Sequence, residues 1–284
     1  YSSAASDVYK RQVKEWLYQL LSPEMKVTRS PRSYNSQIGV PLSVWLLNEQ
    51  SQVGVFEAGI SEPGEMQALR GVIQPDIAVL TFIGDAHQKN FSSLEEKCRE
   101  KVVLFHDTKT IVYCKDDEVV DRVVRSVGYK GENLAWSMND RSAALFVESV
   151  EKKGLTSTIH YIYNDEAGEY VLPFIDEASV RNSVTTAVVA LHLGLSREHL
   201  AERMASLEPV AMRLEVKEGQ KGCTLINDSY NSDINSLDIA LDFMSRRPDH
   251  KGRKRTLILS DIYQTGEPLD VLYKEVSDLS VQRG

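Results

Sequence analysis

The sequence predicts an α/β fold built mainly on a parallel sheet. The first observation is the stretch VGVFEAGISEPGEMQALRGVIQPDIAVLTFIGDAH, residues 53–87. Two short apolar runs, Val53–Phe56 and Ile77–Ile83, read as buried strands, and GEMQALRGVIQP between them reads as a helix closed by Pro75. A strand–helix–strand unit implies parallel strands and a right-handed crossover. The second observation is that short strand-like runs keep alternating with helical ones on both sides of this unit. The third is a local change of period at Thr156–Phe174, where TSTIHYIY, NDEAGE and YVLPF read as an antiparallel hairpin.

The elements follow in order. VKEWLYQLL reads as a helix with Trp16, Leu17, Leu20 and Leu21 on one side. The preceding YSSAASDVYKRQ has no apolar periodicity and offers no cap, so Tyr1–Gln12 read as a foreign segment: a tag, a cloning remnant or an assembly error. Ser30–Gly39 is a polar loop rich in turn formers, and Pro41 suits the first turn of the next helix. NFSSLEEKCREKVVLFHD reads as a helix capped by Ser92 or Ser93, with Glu95 or Glu96 in its first turn. A strand follows at Thr110–Tyr113, then the helix DDEVVDRVVRSV, then strands at Leu134–Trp136 and Ala143–Val150.

Past the hairpin, Ser179–Leu193 reads as a long helix ended by Gly194, and Ser196 caps REHLAERMASL. Leu207–Val210 marks a domain boundary, because a helix ends, Pro209 intervenes and strand patterns resume. RLEVKEG, GCTLINDSYNSD, INSLDIALDFMSRR, RTLILSD and PLDVLYKEVSDLS then alternate β and α. This last unit stops after about 75 residues, short of the ~100–150 of a typical domain, so the C-terminus reads as cut.

The chain has 284 residues, 42% of them hydrophobic, and a formal net charge of −8. That supports one large or two ordinary domains. With no basic cluster interleaved with aromatics, nucleic acid is a poor partner. No apolar run approaches the ~20 residues of a membrane span, and no signal-peptide pattern opens the chain. Cys98, Cys114 and Cys223 are scattered and read as ordinary buried thiols of a reducing compartment.

In open α/β sheets, ligand groups sit just beyond the carboxyl ends of strands. Glu57 follows the first strand, and Asp85 and His87 follow the second, so Glu57 and His87 are expected to face one crevice. A carboxylate and an imidazole there suit Mg²⁺, which completes its shell with water and phosphate oxygens. The plainer alternatives are that Glu57 caps a turn and His87 is a hydrogen-bonded loop residue.

Several stretches together resemble the Mur ligase family, the ATP-dependent amide ligases of peptidoglycan precursor synthesis. They are VKEWLYQLL, SYNSQIGVPLS, VFEAGISEPGEM, QPDIAVLTFIGDAH, SLEEKCREK, VRNSVTTAVVALHLGL, RLEVKEG and INDSYNSD. SYNSQIGVPLS and the GEM after EAGI favour the branch that adds D-alanyl-D-alanine to UDP-N-acetylmuramoyl-tripeptide. LILSDIYQTG and VLYKEVSDL resemble the version fused to an alanine racemase.

The resemblance implies a cytoplasmic enzyme. Residues 13–208 would form a central ATPase domain and residues 209–284 part of a Rossmann-like C-terminal domain, with 1–12 outside the family. ATP phosphorylates a carboxylate, and an amine then attacks the acyl phosphate. Residue by residue, the resemblance makes Glu57 the magnesium ligand and His87 the histidine of a second metal. It makes Lys101 a carbamylated lysine, with Lys97 the neighbouring alternative; carbamylation turns an ammonium into a carboxylate-like metal ligand. Lys101 and His87 are the catalytic candidates.

Asn182 would contact adenine. Arg213 would lie near the ATP phosphates, where its fork bonds two oxygens. Asp228, with Tyr230 and Asn231 beside it, would contact ribose, or Asp228 would make an Asx turn before a helix. Asn35 and Ser36 would lie near substrate and phosphates.

One departure stands out. The family's Gly-rich phosphate loop ending Gly-Lys-Thr should precede Val13, yet residues 1–12 hold no glycine. The uridine-binding domain is also missing, so the chain alone is expected to be inactive. Competing readings are another Mur-type ligase, an amino-acid-adding or folylpolyglutamate-synthase-like enzyme, a metal-dependent phosphohydrolase, or a non-catalytic nucleotide-binding module.

Overall fold

The computed structural model describes residues 4–83, 91–210, 215–228, 234–246, 254–262 and 268–283. Helix α1 (Ala4–Leu21) leads to strand β1 (Val27–Arg29), helix α2 (Gly39–Val44) and strand β2 (Val53–Val55). Helix α3 (Glu65–Ile73), strand β3 (Ile77–Leu80), helix α4 (Leu94–Val102), strand β4 (Thr110–Tyr113), helix α5 (Glu118–Ser126) and strand β5 (Glu132–Asn133) follow. The expected Val13 start of the first helix is thus corrected to Ala4. Trp16, Leu17, Leu20 and Leu21 are all buried, as their spacing predicts.

The parallel sheet comes in two pieces. Strand β1 pairs with β2, Val27 opposite Val53, and β3 pairs with β4, Ile77 opposite Thr110, with β5 beyond. All these pairings are parallel, as expected for strands joined through helices. The two strands of the Val53–Ile83 unit therefore belong to different pieces, and among the described residues neither pairs with the other.

The antiparallel layer is β6 (Trp136–Ser137), β7 (Leu145–Lys153), β8 (Thr156–Tyr163) and β9 (Glu166–Leu172), in that order. Strands β8 and β9 form the predicted hairpin, Tyr163 opposite Glu166. Its turn is Asn164–Asp165, both at positive φ (52° and 61°), the conformation a two-residue hairpin loop requires. The single strand expected at Leu134–Trp136 is instead divided, with β5 ending at Asn133 and β6 starting at Trp136. Past the break, Trp136 bridges to Cys114 at the end of β4 and pairs with Leu145 of β7, so it links the two sheets.

Helix α6 (Glu177–His192) is buried on most of its length and packs on α1; helix α7 (Arg197–Ala205) follows. Three caps fix helix starts: the Ser93, Asp176 and Ser196 side chains accept from Glu96 N, Ser179 N and His199 N. Capped by Asp176, α6 starts at Glu177, two residues before the expected Ser179. The main core joins α1, α6, α7 and strands β4 and β6 to β9. A second core lies under α4 and α5.

The last part holds β10 (Glu215–Glu218), β11 (Thr224–Asn227), α8 (Ile234–Arg246) and α9 (Leu269–Gln282). The sequence reads this region as alternating β and α. Strands β10 and β11 are antiparallel, and RTLILSD forms no strand, because no described strand lies beside it to complete a ladder. Leu257, Ile258 and Leu259 are accordingly exposed. Cys223 is exposed too, unlike Cys98 and Cys114, which corrects the reading of three buried thiols. No helix among the described residues is long and apolar enough to cross a membrane.

Candidate functional site: a buried carboxylate among lysines

The site grows from the carboxyl end of β2. Glu57 leaves that strand with its backbone N–H donating to Ser30 Oγ at 3.1 Å, and its side chain is buried. Its Oε1 accepts from Asn35 Nδ2 at 2.8 Å. Asn35 is held in turn, because its carbonyl accepts from Gly59 N at 2.7 Å. Gly59 has to be small: a Cβ there would stand 3.0 Å from the Asn35 side chain. The polar loop before α2 thus turns back to orient a carboxylate, and does not simply line the surface. Ser36 does something else; its Oγ accepts from Gly39 N at 3.2 Å, in the turn that leads into α2.

Opposite Glu57 stands Lys14 on α1. Its ammonium lies 3.8 Å from Glu57 Oε2 and 3.1 Å from Glu15 Oε1, and donates to the Ser30 carbonyl at 3.0 Å. Sequence reasoning missed this residue. The signal was present, since Lys14 shares the spacing of Leu17 and Leu21 on the apolar side of α1. A lysine on such a face needs partners for its charge, and Glu57 and the Ser30 loop supply them.

A cavity of about 470 Å³ lies beside this pair, lined by Glu57, Lys10, Lys14 and Lys101 among others. Lys10 Nζ donates to the Ala58 carbonyl at 3.3 Å, one residue past Glu57. Lys101 and Lys97 are both buried on α4, so neither is a solvated helix lysine. Lys101 lines the cavity with Glu57. Among the described residues no group of three or more His, Cys, Asp or Glu side chains gathers at one point.

Asn182 sits early in α6, buried, with its Nδ2 donating to Gln12 Oε1 at 2.6 Å. Gln12 Nε2 also donates to Ser179 Oγ at 3.1 Å. Two residues of α1 and α6 far apart in sequence are thereby joined near Cys114 and Thr185, which line a narrow crevice with Asn182 and Tyr9. Asp228 follows β11 and is half-buried. His87, Asp85, Arg213, Tyr230 and Asn231 lie outside the described residues, so of the predicted constellation Glu57, Lys101 and Asn35 are the members seen around one feature.

Burial sets the local acid–base chemistry. It pushes the Cys98 thiol up to about 12 and the Cys114 thiol up to about 11, so neither supplies a thiolate. Burial also raises the Asp176 carboxyl, against the hydrogen bonds from Ser179 that hold it down. Asp176 is a helix cap, and its polar groups are spent on Ser179.

Comparison with known proteins fits this architecture. The chain is 24% identical over 273 residues to the UDP-N-acetylmuramoyl-tripeptide–D-alanyl-D-alanine ligase of Bacillus subtilis, covering 94% of this chain and 57% of that protein. It is 26% identical over 281 residues to the ligase of the same name from Borreliella burgdorferi, covering 95% and 56%. The chain therefore spans about half the length of the curated relatives it matches.

Among solved structures, MurF ligase from Thermotoga maritima in complex with ADP superimposes with a TM-score of 0.71 at 24% identity, covering 84% of this chain and 55% of that one. A MurF structure from Acinetobacter baumannii gives 0.75 at 22%, covering 84% and 52%. At these identities the structural likeness establishes the fold. The family model for the Mur ligase middle domain matches residues 10–190, and this chain belongs to the Mur ligase family.

Proposed function

We propose that the whole protein to which this chain belongs is an ATP-dependent amide ligase that joins D-alanyl-D-alanine to UDP-N-acetylmuramoyl-tripeptide. The observation that carries the reading is Glu57: a buried carboxylate at the carboxyl end of a parallel strand, oriented by Asn35, in a cavity shared with Lys101. That is the arrangement the family resemblance implies for its metal and lysine positions. The D-alanyl-D-alanine ligases among the relatives support that substrate, and the ADP in the Thermotoga maritima structure supports ATP as the phosphoryl donor.

The donor chemistry fits Mg²⁺, with Glu57 and Lys101 the described residues that would hold it, and His87 a further ligand outside them. When bound, the metal supplies positive charge against phosphoryl oxygens. Three lysines line the cavity with buried Glu57 and with exposed Asp76, which is already paired with Lys109 at 2.7 Å, and that excess of cations suits anions and disfavours a divalent cation. Carbamylation of Lys101 removes an ammonium and adds an anion, which reverses that balance. Asn35 keeps Glu57 aimed, and Lys10 and Lys14 are placed to meet phosphate oxygens or to neutralise Glu57 between substrates.

Asn182 is the adenine contact in this reading, and Asp228 with Tyr230 and Asn231 the ribose contact. Arg213 meets the phosphates, and Asn35 and Ser36 lie on the substrate side. Residues 13–208 serve as the central unit and 209–284 as part of the C-terminal one, with the break after α7. The setting is the cytoplasm, where ATP and the nucleotide-linked substrate meet, and the stretches LILSDIYQTG and VLYKEVSDL extend the reading to a fused alanine racemase.

The test is an ADP-release assay on the whole protein with ATP, Mg²⁺ and UDP-N-acetylmuramoyl-tripeptide, offering D-alanyl-D-alanine against diaminopimelate, lysine or glutamate. Turnover with D-alanyl-D-alanine alone is expected. Preference for a single amino acid, or for a folate substrate, moves the protein to another branch. Hydrolysis of phosphate esters without an amine acceptor makes it a phosphohydrolase.

A further inference from the structure

The loop that carries Asn35 bends at a residue that resists the bend. Tyr34 N donates to Pro31 O at 3.1 Å, which closes a turn from Pro31 to Tyr34. The second residue of that turn is Arg32, at φ 48°. Such a corner favours glycine or asparagine, because a Cβ crowds the backbone there. An arginine keeps the conformation only where its surroundings hold it.

Lys14 supplies the hold. Its ammonium donates to the Ser30 carbonyl at 3.0 Å, just before the turn, and to the Arg32 carbonyl within it. Two of the three ammonium protons are thus spent on main-chain oxygens. Glu57 Oε2, at 3.8 Å, is an ion-pair contact beyond hydrogen-bond length. The ammonium is fixed in turn: the side chain is 2% exposed, and Glu15 Oε1 lies 3.1 Å away. Glu15 Oε2 meets Arg29 Nη1 at 3.1 Å, at the end of β1 where the loop begins. Helix α1 therefore grips the loop at its root and at its corner.

From the corner the geometry passes to Glu57 by two routes. Asn35 follows the turn directly; its Nδ2 donates to Glu57 Oε1 at 2.8 Å, and its carbonyl accepts from Gly59 N at 2.7 Å. Ser30, at the root, accepts from Glu57 N through its Oγ at 3.1 Å. The backbone N–H and the Oε1 of Glu57 both rest on a segment that Lys14 shapes.

We propose that Lys14 is a positioning residue for Glu57: through the Ser30 and Arg32 carbonyls it holds the Pro31–Tyr34 turn and so aims Asn35, beyond any service as a counter-charge. The inference deepens the reading of Glu57 as a metal ligand and rests on it for one of its two readouts. The two roles predict different couplings. A bare counter-charge acts on Glu57 directly, so its effect on cation affinity is the same with or without the Asn35 side chain. A positioning residue acts through Asn35, so losing either one masks the loss of the other.

Both readouts use the whole protein. In calorimetric titration Asn35→Ala should weaken Mn²⁺ binding by roughly 10–100-fold in the parent background, but by less than about threefold in Lys14→Met. Adding Arg32→Gly, which removes the cost of the positive φ, should restore most of the Asn35 effect to Lys14→Met. Amide hydrogen exchange reads the loop with no metal present. In Lys14→Met the Tyr34 and Gly59 amides should exchange about tenfold faster relative to Leu20 of α1, whose amide reports global opening. If Glu57→Gln leaves the Mn²⁺ affinity of the parent unchanged, the metal reading falls and exchange alone decides the proposal. If Lys14→Met does not fold, the turn is tested with Lys14 in place. Arg32→Val and Arg32→Gly lose the same charge, but valine resists φ 48° and glycine adopts it. Only Arg32→Val should then speed Tyr34 exchange. An equal Asn35→Ala loss in both backgrounds, unchanged relative exchange at Tyr34 and Gly59, or identical behaviour of the two Arg32 variants would each overturn the proposal.

Discussion

The ammonium of Lys14 stands 3.8 Å from Oε2 of Glu57, with 2% and 1% of the two side chains exposed. Neither charge has much water to fall back on, so each depends on the other and on the nearby loop. Removing one member of a buried pair strands the other charge and typically costs about 3–5 kcal/mol. Lys14→Met should destabilise the protein by that order in urea unfolding. Adding Glu57→Gln should recover part of the loss, because the stranded carboxylate becomes a neutral amide. If the double variant is as unstable as the two single losses added together, the pair is not coupled and Lys14 acts through its carbonyl contacts alone.

Asn35 has one task that Ser36 does not share: it grips Glu57 Oε1 at 2.8 Å. A residue that orients a metal-binding carboxylate usually matters by 10–100-fold in metal affinity. Asn35→Ala in the whole protein should weaken Mn²⁺ binding by roughly that factor in calorimetric titration, while unfolding shifts by only about 1 kcal/mol. Ser36→Ala should leave Mn²⁺ affinity unchanged. Equal effects from both variants would mean that the loop acts as a whole and Glu57 does not bind the ion.

The Lys101 reading has a direct spectroscopic check. The whole protein equilibrated with ¹³C-bicarbonate should give a carbamate ¹³C resonance that disappears in Lys101→Arg and persists in Lys97→Arg. Both lysines are buried on the same helix, so each variant controls for the other. A signal lost in Lys97→Arg instead would shift the assignment by one helical turn.

Local features of this fold were legible and long-range ones were not. The apolar side of α1, a serine cap at Ser92 or Ser93, the Ser196 cap, the Thr110–Tyr113 strand and a hairpin turning within NDEAGE, which the structure narrows to Asn164–Asp165, depend on neighbours within a few residues. Sheet order does not. The Val53–Ile83 unit reads as two strands and a helix, but nothing in it says that β2 and β3 stand apart. RTLILSD has the composition of a strand and still forms none, because a strand needs a partner edge. At the site, Glu57 could be found from its place after a strand. Lys14 could be found only by asking what a lysine does on an apolar helix face.

Acid should expose one surface pair. Lys115, with Ser142, holds the Asp140 carboxyl well below its ordinary value of 3.8. The folded pKa is depressed, so the pair stabilises the fold above pH 3.8, and that contribution is lost as pH falls through the folded value. Asp140→Asn should therefore be less stable than the parent at pH 7, with the difference shrinking as the pH is taken below 3.8. The Asp140 side chain is 42% exposed, so 1 M salt should shrink the pH 7 difference as well. A difference that does not change with pH would assign the effect to the Ser142 hydrogen bonds.

Trp16 ties the boundary after α7 to the core. Its ring is fully buried and stacks on Phe174 at 5.3 Å, while its Nε1 donates to the Glu208 carbonyl at 3.1 Å. Gln19, one turn on, accepts from Glu208 N at 2.9 Å. Helix α1 thus grips both backbone groups of the residue where the sequence marks a domain boundary. Trp16→Ala empties a large core site and should cost about 3–5 kcal/mol. Trp16→Phe keeps most of the apolar contact and removes only the donor, so the loss should be about 1 kcal/mol. What separates packing from anchoring is limited proteolysis. If the Nε1 bond holds the boundary down, Trp16→Phe should be cut faster near residue 208 than the parent, although its global stability is nearly the same. Gln19→Ala should add to that effect. Cleavage that tracks only global stability across the three variants would make Trp16 a core residue with no hold on the boundary.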